Sequence, residues 1–78
     1  MKPLKLVKMA NEIAAFFAVE PDHKAAVDGV AGHIRRFWEP RMRKAIFLRL
    51  DAGGEHGMAP LVVEALQSNR ASLEPAGR

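Results

Sequence analysis

The chain has 78 residues, 49% of them hydrophobic, no cysteine, and a formal charge of +3 at neutral pH. Surface scaling gives a folded area of roughly 4,700 Å² against roughly 12,500 Å² unfolded, enough for one core but little room for an enclosed substrate cavity. Missing thiols exclude disulfides, thiolate zinc sites and iron–sulfur ligation, and the only serines are Ser68 and Ser72, so the chain is short of catalytic groups.

The apolar pattern is helical from the start. Leu6, Met9, Ala10, Ile13, Phe16 and Phe17 recur at helix spacing and predict a first helix over 4–18 whose core stripe is centred on Ile13. Pro3 suits its first turn, where a missing N–H costs nothing. Asp22 is placed to cap a second helix running to about Trp38, with Val27, Val30, Ile34 and Phe37 on the inner face. Pro40 ends that helix, because the residue before a proline is driven out of the α region, and opens a third through about Leu50. Met42, Ile46 and Leu50 form its inner stripe, and Gly53 and Gly54 close it. Pro60 starts a short fourth helix, with Met58, Leu61, Val62, Ala65 and Leu66 facing inward. Asn69 to Arg78 carries Pro75, Gly77 and little apolar material, and reads as a frayed tail. The expectation is an all-α fold: one helical domain over 1–68, three to four short helices, and a flexible tail over 69–78.

The charge is concentrated. Residues 33–49 hold Arg35, Arg36, Arg41, Arg43, Lys44 and Arg49 against Glu39 alone, while the rest of the chain is net acidic. Helix geometry sends Phe37 inward and leaves Trp38 at the rim, so arginines flank one large aromatic across a proline break. Arginine and tryptophan are enriched at interface hot spots because they combine contact area with directed hydrogen bonds. The plainer reading is a solvated face neutralised by nearby acids. Nucleic acid also favours arginine interleaved with aromatics, although +3 overall is modest for phosphate-driven binding.

Two further features suggest a surface awaiting cover. Ala25, Gly29, Gly32 and Arg36 fall together on the second helix, and helix-interior glycines cost roughly 1 kcal/mol each unless close packing of another helix, of this chain or equally of a partner, offsets them. The third helix puts Leu48 opposite Ile46, beside Lys44 and Arg41, with Phe47 on its flank. Other candidates lead nowhere. His23 and His33 lie roughly 15 Å apart along a helix and cannot share a metal, and His56 sits in the glycine loop. No strand precedes Gly53-Gly54 and no Lys-Ser/Thr pair follows, so no phosphate loop is built. No run reaches the ~20 apolar residues of a membrane span, and no secretory core follows the first lysines, so cytoplasmic retention is expected.

The order Leu6-Val7-Lys8-Met9-Ala10-Asn11-Glu12-Ile13, Phe16-Phe17, then Gly29 through Arg43, including His33-Ile34-Arg35-Arg36-Phe37-Trp38-Glu39-Pro40-Arg41-Met42-Arg43, resembles the delta subunit of NAD-dependent formate dehydrogenases. The likeness continues through Pro60-Leu61-Val62 and Ala65-Leu66. It implies a small accessory subunit of a soluble, oxygen-tolerant complex. There, a large alpha subunit carries a molybdenum or tungsten bis-pterin and iron–sulfur clusters, and other subunits carry flavin, further clusters and the NAD site. The delta subunit carries none of these groups and is linked to assembly or stability of the complex. A chain without catalytic, cofactor or metal residues is therefore expected to dock on the large subunit through Arg35, Arg36, Trp38, Arg41, Arg43, Phe47 and Leu48. A small basic nucleic-acid-binding domain is the alternative.

Overall fold

Three prolines set where helices begin. In the computed structural model, which describes residues 2–75, Pro3, Pro40 and Pro60 each occupy the first helical position. They open α1 (Pro3–Phe17), α3 (Pro40–Asp51) and α4 (Pro60–Ser68). Between the first two, α2 (His23–Phe37) opens on Asp22, whose carboxylate accepts from the Lys24 N–H at 3.0 Å. A fifth, single-turn helix, α5 (Arg70–Leu73), follows α4 after Asn69 alone. No strand occurs among the described residues, so the fold is all-α as the periodicity predicts.

The second helix is the hub: α1, α4 and α5 all pack on it, and α1 also meets α3 and α4. Val30 and Ile34 of α2, Ile46 and Phe47 of α3, Val62 and Leu66 of α4, and Leu73 of α5 are all shut off from solvent. Asn11 fastens the long connection between α3 and α4. Its amide donates to the Gly57 carbonyl at 3.0 Å and accepts from the Ala59 N–H at 2.8 Å. The turn before that point is made by Gly53 and Gly54 at φ of 80° and 71°, a region costly for other residues.

Two departures from the sequence expectation concern how whole segments pack. On α1 the buried residues are Leu6, Val7, Ala10 and Ala14, a stripe rotated roughly 75° from Ile13 at 100° per residue. The two alanines allow neighbouring helices to approach closely, so α1 lies on its small-residue side. Met9, Ile13 and Phe17 become only partly covered, and Phe16 is 73% exposed. The second departure is at the C-terminus. Residues 70–73 form a helical turn rather than a frayed tail, and Leu73 is fully buried, because its side chain fills the core beside α2 and α4. The folded unit therefore passes beyond residue 68. The last three positions of the expected tail lie outside the described residues.

Candidate docking surface

The arginine-rich segment spans the end of α2, the two-residue break and the first turn of α3. Its geometry divides the seven residues that the sequence singles out. Trp38 ends α2 with an extended backbone, φ −89° and ψ 134°, so a helical extrapolation misplaces its side chain. The indole turns inward and is 5% exposed, a core residue rather than a rim contact. Phe37 is reversed in the opposite sense. It is 64% exposed and leans against His33, ring centroids 4.7 Å apart.

Phe47 is also corrected, from flank to core, at 1% exposure. The element that covers it is the one the sequence leaves frayed: the Arg70 guanidinium of α5 lies 4.9 Å from the centre of the Phe47 ring. That guanidinium also grips Asp51 at the end of α3 and Glu74. The hydrogen bond from Arg70 holds the Asp51 carboxyl below its usual range, more than burial raises it, and Asp51 and Glu74 together hold Arg70 above its own.

Two arginines of the patch are engaged in the same task. Arg43 Nη1 donates to the Leu73 carbonyl at 3.0 Å, while its Nε is buried with no partner among the described residues. Arg35 Nη1 donates to Ser72 Oγ at 3.2 Å, yet the residue remains exposed and pairs with no carboxylate among the described residues. Part of the basic cluster thus anchors α5 to the body, a structural use invisible in the charge count.

What remains outward is narrower. Arg36 and Lys44 have no ion-pair partner among the described residues, and Arg41 meets only Glu39 at a loose 3.9 Å. Arg41, Lys44 and Leu48 follow one another up the outer side of α3, with Leu48 62% exposed. Of the seven expected contact residues, the structure leaves Arg35, Arg36, Arg41 and Leu48 at the surface and puts Arg43, Trp38 and Phe47 to work inside.

The smooth side of α2 is likewise divided. A Cβ at Gly29 would fall 2.4 Å from the Phe17 ring, so that glycine is covered by its own chain. At Gly32 the nearest atom is Arg35 Nη2 at 4.0 Å, and the position is open. Two of the three histidines have polar partners: His23 Nε2 lies 2.7 Å from Glu64 Oε1, and His56 Nδ1 accepts from the Met58 N–H at 3.0 Å. No cluster of three metal-ligating side chains occurs among the described residues. No helix among them is long and apolar enough to cross a membrane.

A family model, that of the NADH-dependent formate dehydrogenase delta subunit (FdsD), matches residues 5–66, well over half of the chain. The chain belongs to this delta-subunit family. The match takes in most of α1, all of α2 and α3 and most of α4, and so covers the whole arginine-rich segment. It stops before α5, the helix that the segment holds in place. A search of the curated proteins and of the solved structures found no match to the chain. The resemblance read from residues 4–66 is thus the family that the model identifies, and its name makes the chain a subunit of a formate dehydrogenase.

Proposed function

We propose that this delta-family chain is a non-catalytic accessory subunit that docks on the large, molybdopterin-carrying subunit of a cytoplasmic NAD-dependent formate dehydrogenase. Through that subunit it joins the flavin and iron–sulfur subunits, and its binding supports assembly or stability of the active complex. The residue inventory supports a role without redox chemistry, since a cysteine-free chain offers no thiolate to a cluster. The observation that carries the docking role is the group of outward cations, Arg35, Arg36, Arg41 and Lys44, beside an exposed Leu48. Arg36 and Lys44, without ion-pair partners among the described residues, and the loosely engaged Arg35 and Arg41 can meet carboxylates and carbonyls of a second protein with little rearrangement, and the leucine adds apolar area.

The test is co-expression of the complex with and without this chain, reading the yield of assembled large subunit and formate-dependent NADH formation. Both are expected to fall when the chain is absent. An Arg41→Glu/Leu48→Glu double variant, folded by circular dichroism, should be captured by the tagged large subunit at least about tenfold less than wild type. Equal capture of the double variant removes this surface from the contact. Unchanged assembly without the chain removes the function.

A further inference from the structure

The rotation of α1 onto its alanines has a consequence on the opposite flank. Met9, Ile13 and Phe16 of α1 line one stretch of a groove with His33 and the edge of Trp38, and Gly32, Arg36 and Phe37 of α2 line the next, with Phe17 and His33 common to both. The groove comprises two adjoining hollows of about 560 Å³ and 280 Å³ that share Phe17 and His33. Its margins carry the two exposed phenylalanines, Phe16 at 73% and Phe37 at 64%. Gly32 lines the smaller hollow and brings the α2 backbone to the surface.

We propose that this groove receives an amphipathic, carboxylate-bearing α-helix of the large subunit, its apolar side chains seated between Phe16 and Phe37 and a carboxylate on Arg36. The proposal rests on the subunit role above and names the chemistry of its partner. Charge fixes the polarity of the occupant. On the α2 wall, Asp28 is already held by Lys24 at 3.0 Å, whereas Arg36 has no carboxylate among the described residues. On the α1 wall, Glu12 has no cation among them. A helix with acidic residues toward α2 and a basic one toward α1 satisfies both.

Backbone chemistry fixes the occupant's form. The groove is walled by two helices and offers no open strand edge, so an extended peptide would bury amides with nothing to pair them. A helix satisfies its own amides, and the exposed backbone at Gly32 permits a close approach. A second copy of this chain fits less well. Two-fold pairing would set hollow against hollow, and the outer ridge of α3 would bring Arg41 and Lys44 against Arg36.

Photo-crosslinking within the co-expressed, purified complex tests the assignment. A benzophenone amino acid at position 16 or 37 should crosslink to one large-subunit peptide with helix-spaced apolar residues and Asp or Glu. The same group at Gln67, exposed on α4, should not reach that peptide. Two variants complete the test. Arg36→Glu should reduce capture by the large subunit on the order of tenfold or more. Gly32→Leu should melt no lower than wild type, since its Cβ meets open space, yet fail to be captured because it fills the groove.

Crosslinks at 16 and 37 that reach only another copy of this chain overturn the proposal. So does a chain retained in the complex with no crosslink from either position, or with both variants captured as wild type. In those cases the subunit role stands and the groove is not its seat. Failure of the wild-type chain to co-purify at all overturns both.

Discussion

Glycine gives the sharpest residue-scale contrast. Gly29 and Gly32 are three positions apart on one helix, and each sacrifices roughly 1 kcal/mol of helix propensity relative to alanine. Gly29 has a structural reason, because the Phe17 ring occupies the space its Cβ would need. Gly32 has none among the described residues. Gly32→Ala is therefore expected to stabilise the isolated protein by about 1 kcal/mol, raising the melting temperature by roughly 4–8 °C. Gly29→Ala should instead lose that gain to displacement of the ring, since overpacking costs about 1–3 kcal/mol. Thermal melts of the two variants side by side decide it; a Gly29→Ala protein as stable as Gly32→Ala would contradict the packing seen here. The glycines and their shared face were legible from the letters, but which one was covered depended on where Phe17 pointed.

At the scale of elements, α5 is held by side chains the sequence assigned to a partner. Arg35 and Arg43 reach Ser72 and Leu73, and Arg70 reaches back to Asp51 across the face of Phe47. The Asp51 carboxyl is depressed in the folded state, chiefly by its hydrogen bond from Arg70. Its contribution is thus fully present above the unfolded carboxyl value, near pH 4, and disappears as pH falls through the lower folded value. Asp51→Asn should melt below wild type at pH 7, with the difference closing as the pH is taken below about 4. A difference that does not change with pH would show that the carboxylate charge has no part in holding α5. The effect is modest, because both groups are open to solvent and screened by it.

At the scale of the whole molecule, α5 closes the core rather than trailing from it. A chain this short commands a total stability of about 4–12 kcal/mol, so one fully buried leucine is a large share. Leu73→Ala is expected to cost about 2–5 kcal/mol in denaturant unfolding. Had residues 69–78 been a frayed tail, the same change would cost nothing, and that result would refute the packing of α5. Its absence from the expectation has a simple physical cause. A four-residue turn shows barely one period of hydrophobicity, and the positions three and four before Leu73 are the polar Arg70 and Asn69, which complete no apolar stripe. Trp38 lies elsewhere than the helical period predicts for a related reason. Side-chain direction was carried along an ideal helix through Trp38, where the chain had already turned to extended geometry.

The sequence by itself determined the helical class, the helix starts at Pro3, Asp22, Pro40 and Pro60, and the delta-subunit family. These are local properties: a missing N–H, a capping carboxylate, a period of apolar residues, an ordered string of side chains. Tertiary structure alone decided which candidates face outward. It turned α1 onto Ala10 and Ala14, drew Trp38 and Phe47 into the core, and put Arg43 to work holding the last helix. Small residues set how closely helices approach, and an element distant in sequence can cover a side chain that its own helix leaves bare. One small core with concentrated positive charge and no thiols thus presents Arg35, Arg36, Arg41, Lys44 and Leu48 outward, beside an apolar groove.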